Sequence, residues 1–404
     1  MKRFSERQWL VLLLASLQFI ILSDYLVVMP MGPILMETFS IRTGQFAGLI
    51  SIYSIGAIVI AFTTAGWLDR IDRMRSLQAA LICFLGISAL HGLVDDFRLL
   101  GLLRFLAGGV AGLIGSLVMS VVTQTFPSNR RGRVIGIVLS ATSVCQIVGI
   151  PAGLFLMAKL GWKAPFLLNS VLALLVLIPL LRLTPGGQQA LSKQPFGSQM
   201  LRITRERHHF KAMLCTLLTM LAGSLVVPFL PLLLVYRFGV PENELSGVYL
   251  VAGLVAFVAS LLAGKLAERG DGRFGFTVLG LLGVLPLLVL ALTTSMPRAA
   301  VVAVFALGNA LLIVRMIPMN RFIMEYIHPE LLGGFQSVNT ALMHVGASSA
   351  AAIGGLLISV NEGELAGFGS VVAGSIAVLM LVLLLMQFGF RGSSSPTSFP
   401  ERSP

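Results

Sequence analysis

The chain has 404 residues, of which 56% are hydrophobic and only 11% charged, and its formal net charge is +12. A soluble domain carries about 25% charged residues, so a water-soluble protein is excluded: too little polar side chain is present to cover one of this size. The positive excess would suit a nucleic-acid partner, but its placement along the chain excludes that reading too.

Crossing a hydrocarbon core takes about 20 helical residues, and lipid offers the backbone no hydrogen-bond partners, so long apolar runs must be helices. Twelve such runs follow in order. The first, Trp9 to Leu35, is apolar except for Asp24 in "ILSDYLVVMP" and carries Pro30 and Pro33. It follows Lys2, Arg3 and Arg7 as a signal peptide would, yet its length and its carboxylate make it an uncleaved helix. The second is Phe46 to Trp67 and the third Leu77 to Val94. In the fourth, Leu99 to Phe126, Gly108, Gly112 and Gly115 share a helix face with Arg104, and small residues at that spacing let another helix approach closely. The fifth, Val134 to Met157, holds Gly149 and Gly153 with Pro151 between them, which loosens the helix locally. Ala164 to Leu183 is the sixth.

After a polar stretch from Thr184 to His209, the seventh run, Phe210 to Tyr236, contains Pro228 and Pro231. Leu245 to Leu266, Phe274 to Leu292, Ala299 to Ile327 (with Arg315), Phe335 to Val360 and Leu365 to Phe390 complete the set. The tail Arg391 to Pro404 is short and polar and reads as disordered. The fold class is an all-α membrane protein.

An inside N-terminus with alternating spans puts 21 of the 29 Lys and Arg on the inner side, and only Arg42, Arg98, Lys159, Lys163, Arg237 and Arg298 on the outer. That asymmetry is the positive-inside rule; it places both termini in the cytoplasm of a multi-pass protein, with a bacterial inner membrane as the expected location. Cys83, Cys145 and Cys215 all fall in spans, which argues against a disulfide framework or metal cluster. Without metal-ligand spacing, a phosphate-binding loop or a nucleophile elbow, an enzyme has no residues to rest on.

The chain also repeats itself. Pro30 and Pro33 match Pro228 and Pro231 at an offset of 198 residues; "AGWLDRIDR" from Ala65 matches "GKLAERGDGR" from Gly264; "FPSNRRGR" from Phe126 matches "IHPELLGG" from Ile327. A six-plus-six duplication follows, with residues 1–183 and 210–390 as the halves, 184–209 as a cytoplasmic linker and 391–404 as the tail. Parallel halves about an axis along the membrane normal, with a substrate site near the midplane, are a carrier plan. One chain suffices for it, so a monomer is expected, with a small solute, membrane lipid and protons as its partners.

The stretch "AGWLDRIDRMR" resembles the loop 2–3 signature of the major facilitator superfamily, roughly G-x-L-a-D-R-x-G-R-[RK]. Ala65 takes the first glycine position, Asp69 and Arg70 the Asp-Arg pair and Arg73 the later basic position, while Trp67, Asp72 and Met74 depart from it. "RFLAGGVAG" from Arg104 is similar to the family's fourth-span pattern, and "GIPAGLFL" from Gly149 with "GWKAPFLLN" from Gly161 resembles the efflux branches, Lys163 replacing their Arg. The resemblance, closest to the twelve-helix drug and sugar efflux branches, implies two six-helix halves working by alternating access. It also implies proton-driven antiport without a bound cofactor, and a cytoplasmic gate at Asp69, Arg70 and Arg73 with Glu268 and Arg269 in the repeat. For Gly149, Pro151 and Gly153 it implies an antiport role, beside which plain packing stays open; for Gly108 and Gly112 packing is the better reading.

Charges inside spans are the sharper signal, since insertion scales put Asp or Arg at a helix centre at about 2.5–3.5 kcal/mol. Asp24 lies about 22 Å from the inner end of its span and Arg104 about 9 Å from the outer end of its own, so both fall in the outer half of the N-terminal domain. Either they form a structural ion pair, or Asp24 binds and releases a proton: burial disfavours the carboxylate and a guanidinium favours it, and a balanced group can be switched. Arg315 breaks the pseudo-symmetry, and either receives an anionic substrate group or pairs with a carbonyl or Glu325. Asn309, Asn339 and His344 give the C-terminal half a polar set facing Tyr25, Tyr53 and Gln146 of the first. Alternatives to efflux are an uptake symporter or uniporter and, from another class, a non-transporting membrane sensor.

Overall fold

A computed structural model describes residues 6–64, 72–183, 206–269, 271–327, 332–361 and 363–390. Among them are twelve helices long and apolar enough to cross a membrane: α1 (Arg7–Val27), α2 (Thr43–Ile60), α3 (Arg73–Leu93), α4 (Phe97–Thr125), α5 (Arg130–Leu160), α6 (Ala164–Arg182), α7 (Arg207–Arg237), α8 (Glu242–Lys265), α9 (Gly272–Leu292), α10 (Arg298–Met324), α11 (Val338–Leu357) and α12 (Phe368–Gly389). Large apolar side chains such as Leu175, Val258, Leu262, Leu285 and Leu384 stay exposed on their outer faces, as a lipid solvent requires.

Two spans that read as continuous are interrupted, each at its prolines. The first helix stops at Val27, turns through i to i+3 bonds such as Gly32 N–H to the Met29 carbonyl (3.3 Å), and resumes as a short helix, Gly32–Thr38. In α7 the regular helix ends at Ser224; Pro228 sits in a tight turn over Val227–Phe229 and Pro231 in a single α-helical turn over Leu230–Leu232, before a wide turn over Leu233–Arg237. Proline has no N–H to donate and blocks the preceding turn, so the shared offset produces the same break in both halves. The twelfth span is also shorter than its apolar run: Ser359–Asn361 (β1) and Glu364–Ala366 (β2) form an antiparallel hairpin, and the helix begins at Phe368. A further break divides α10 at Arg315, because Pro318 leaves the Val314 carbonyl without its helical donor.

Capping repeats as well. Asp72 accepts from the N–H groups of Met74 (2.9 Å) and Arg75 (3.1 Å) at the start of α3. Asp271, its repeat mate, accepts from Arg273 N–H (2.9 Å) at the start of α9. Asp72 therefore has a local structural role, satisfying helix-end donors.

Within the first half α2 packs on α4, α3 on α4 and α6, and α1 on α5 and α6; in the second, α7 packs on α11 and α12 and α8 on α10. The halves meet along α2 with α11 and α5 with α8. Both ends of the helical array lie at one face, here the terminal face. Their contacts lie toward the other, remote face: Ser51 Oγ donates to the Ser348 carbonyl at 2.9 Å, and Gly355 leaves no room for a side chain against Ala47. One apolar core containing Val27, Phe46, Phe166, Phe229, Leu245 and Ala350 joins both halves there. Nearer the terminal face the core divides, one part around Leu14, Phe84 and Leu117, the other around Phe276, Phe322 and Phe335.

Candidate functional site

Close helix packing creates the charged site. A Cβ on Gly108 would collide with the Tyr53 carbonyl, and one on Gly112 would lie 3.1 Å from Ala57 Cβ. These glycines therefore let α4 lie directly on α2 and bring the Tyr53 ring beneath the Arg104 guanidinium, whose Cζ is 4.3 Å from the ring centroid. Arg104 Nη1 donates to Asp24 Oδ2 at 2.8 Å, with side chains 1% and 0% exposed. The match is one-armed: Asp24 Oδ1 and Arg104 Nε have no hydrogen-bond partner among the described residues.

More polar groups surround the pair than the helical patterns suggested. Tyr25 stacks on Tyr53 with centroids 5.1 Å apart. His91 stacks on Phe166 at 4.5 Å, and the Phe166 ring centroid lies 5.8 Å from Arg104 Cζ. Its Nδ1 donates to the Ile87 carbonyl at 2.8 Å, leaving Nε2 without a partner. Ser88 and both amide atoms of Asn169 are likewise buried without partners among the described residues, and Ser54 lies against the Tyr25 hydroxyl. In sequence Phe166 figures only within the "GWKAPFLLN" stretch, not beside the charge; the signal for that placement was helical spacing, Ser88 with His91 and Phe166 with Asn169 each standing three residues apart.

Gly149 and Gly153 form the face of α5 that rests on α1, where Cβ atoms would lie 3.2 Å from Phe19 and 2.7 Å from Val27. A wide helical turn over Cys145–Gly149 precedes Pro151 and absorbs its missing donor. Gln146 lies in that turn, and its carbonyl meets Gly253 of α8 across the boundary between halves.

In the second half Arg315 is 2% exposed, and Nη2 donates to the Thr219 carbonyl at 3.4 Å. Of the partners considered from sequence, the carbonyl is thus observed, whereas Glu325 pairs with Arg321 at 3.7 Å. His344 approaches Tyr25 edge-on at 6.4 Å, joining the polar sets of the two halves. Asn309 and Asn339 are buried, and Asn339 Oδ1 has no partner among the described residues. Of the gate residues, Arg73 donates to Gln124 of α4 at 2.7 Å once that amide is oriented with its oxygen toward the guanidinium. Asp69 and Arg70 lie outside the described residues, as do the side chains of Glu268 and Arg269.

Twelve apolar helices in two repeated halves, with a polar seam between them, define a multi-pass integral membrane protein of transporter type. The chain belongs to the Major Facilitator Superfamily, whose family model matches residues 14–351 and 212–402. It is 23% identical over 377 residues to the uncharacterized MFS-type transporter YceJ of Bacillus subtilis (strain 168), covering 92% of this chain and 94% of that one. It is 25% identical over 372 residues to the chloramphenicol resistance protein of Streptomyces lividans (89% and 90% covered). The probable sugar efflux transporter of Mannheimia succiniciproducens is 20% identical over 354 residues, with 87% of each chain covered. The fold matches a crystal structure of a bacterial homologue of the human lysosomal transporter Spinster, with a TM-score of 0.74, 16% identity, and 98% of this chain and 100% of that one covered.

Proposed function

We propose that this protein is a secondary active transporter that exports a small solute in exchange for protons by alternating access. The observation that carries the proposal is the Asp24–Arg104 pair: a buried carboxylate tied through one oxygen, with the other left as an unused acceptor. Protonation at that oxygen neutralises Asp24 without filling an occupied position. Arg104 keeps its seat over Tyr53 meanwhile, because a cation over an aromatic face is held independently of the carboxylate.

With the Lys- and Arg-rich terminal face in the cytoplasm of a bacterial inner membrane, the shared remote core closes the outer side and the divided core faces inward. This is the arrangement of an inward-facing carrier, ready to take solute from the cytoplasm. The names of the chloramphenicol resistance protein and the sugar efflux transporter support the outward direction. Asp69, Arg70, Arg73, Glu268 and Arg269 are assigned to the cytoplasmic gate, and the wide turn with Pro151 to the flexing of α5 against α8. Driving force comes from the proton gradient, and a monomer in lipid suffices.

Everted membrane vesicles test this. With a pH gradient established and followed by a pH-sensitive dye, solutes from a panel of amphenicols, sugars, organic cations and organic anions are added; a transported one discharges part of the gradient in vesicles containing the protein. Discharge by none of them, with the protein present and folded, contradicts proton-coupled export of these classes.

A further inference from the structure

The proton site leaves one buried charge unexplained. Arg315 of α10 is 98% removed from solvent, and its sole hydrogen bond among the described residues is the long one to the Thr219 carbonyl. Its Nε has no partner, and no carboxylate of the described residues pairs with it. Thr219 is 1% exposed, and its hydroxyl is also without a partner. A buried guanidinium with a free N–H and a buried hydroxyl with no partner thus belong to residues in contact, with no carboxylate to balance the charge, and a guanidinium without a counter-charge inside a membrane is costly even by lenient scales. An anion is the chemical complement.

Placement favours a solute over a structural ion. Arg315 Nη2 lies 3.4 Å from where a Cβ would stand on Gly223, so α7 presents bare backbone beside the guanidinium. Thr219 belongs to the turn of α7 on which Gly346 of α11 packs, with a Cβ there 2.6 Å from the Leu217 carbonyl. His344, two residues before Gly346, reaches Tyr25 of the other half, and Tyr25 stacks on Tyr53. His344 and Tyr25 are thus the groups that join the polar sets of the two halves, and Arg315 belongs to the second of those sets. The repeat mates of Thr219 and Arg315, at offsets of 198 and 201, are Ile21 and Ile114, so the first half has no equivalent.

We propose that Arg315, with the Thr219 hydroxyl, binds the carboxylate of a monoanionic organic solute whose apolar body rests against Tyr25 and His344. One guanidinium matches one charge, whereas a phosphate monoester brings close to two. The inference rests on the transport reading in taking this anion as the transported solute, but not on Asp24 as the proton site.

The test is thermal stabilisation of the purified full-length protein in lipid nanodiscs, at constant ionic strength and without a gradient. Acetate, octanoate, benzoate and 2-naphthoate are compared with benzamide, benzylamine, sodium chloride and inorganic phosphate. The apolar carboxylates raise the melting temperature with dose; benzamide and benzylamine do not. In Arg315→Gln the affinity for benzoate falls by about tenfold or more, the loss expected for a charge-assisted bond, and Arg315→Lys keeps part of it. Equal stabilisation by benzoate and benzamide, response to no carboxylate, or undiminished benzoate affinity in Arg315→Gln overturns the proposal. Chloride or phosphate matching benzoate also overturns it, in favour of an inorganic ion. If Arg315→Gln does not fold, the wild-type series and Arg315→Lys decide. Carboxylate binding that needs Arg315, without discharge of a proton gradient by the same solute, leaves the anion site standing and contradicts proton antiport alone.

Discussion

The Arg104 guanidinium lies over the Tyr53 ring, 4.3 Å from its centroid, while one of its nitrogens holds Asp24. The ring and the carboxylate thus share the cation. Tyr53→Phe keeps the ring and gives up a hydroxyl that reaches the Ile21 carbonyl at a long 3.4 Å and lies beside Asp24, so the melting temperature of the purified protein falls less than when the ring itself is removed. Tyr53→Leu loses the ring and with it about 2 kcal/mol of desolvated cation–π attraction, seen as a lower melting temperature. Equal melting of the two variants contradicts the shared-cation geometry.

Removing one partner of the ion pair strands the other. Arg104→Leu leaves the Asp24 carboxylate buried and uncompensated, a loss of about 3–5 kcal/mol, whereas replacing both charges with apolar groups is close to neutral. Asp24→Leu combined with Arg104→Leu therefore melts above Arg104→Leu alone. A double variant no more stable than the single one shows that the two charges do not hold each other.

At the remote face, Gly355 meets Ala47 with no space for a side chain, and its Cβ would lie 3.2 Å from Gly44 Cα. Gly355→Leu pushes α11 away from α2 and disfavours the arrangement described here. Spin labels on the remote ends of α2 and α11, read by pulsed electron resonance, report a longer mean distance in the variant. An unchanged distance distribution means that this contact does not control which face is closed.

Glu325 lies just beyond α10 near the terminal face. Burial raises its carboxyl above the ordinary 4.5, the Asp271 carboxylate adds to this, and Arg321 and Arg273 oppose it. The folded protein thus holds this proton to higher pH than the unfolded chain, so its favourable contribution is complete below pH 4.5 and is lost as pH rises through the raised value. Glu325→Gln melts like wild type below pH 4.5 and above it at neutral pH. A difference that grows toward acid pH reverses the sign and contradicts this placement.

Much of the fold was legible because the lipid solvent leaves few choices: an apolar run of sufficient length must be a helix, and twelve were found in register with their repeats. The breaks at Val27 and Ser224 were carried by the prolines, but their form depends on which carbonyls lose donors, which only the three-dimensional chain decides. Asp24 and Arg104 stood out as charges in apolar surroundings, and their similar depth pointed to the pair. Phe166 and His91 did not stand out, because an aromatic ring or lone histidine in a membrane helix looks the same whether it packs a core or flanks a charge. The lone state of Arg315 was equally hidden, since Glu325 stood in the sequence as an alternative partner and turned out to pair with Arg321.

The central claim is that Asp24 carries the coupled proton, and Asp24→Asn in proteoliposomes tests it most directly. Asparagine keeps the shape and still accepts from Arg104 but cannot release a proton. With any solute that the wild type exchanges for protons, the variant is predicted to lose accumulation driven by an imposed pH gradient, and the pH dependence of transport with it, while solute-for-solute counterflow continues. Gradient-driven accumulation at the wild-type level, with unchanged pH dependence, would contradict the account.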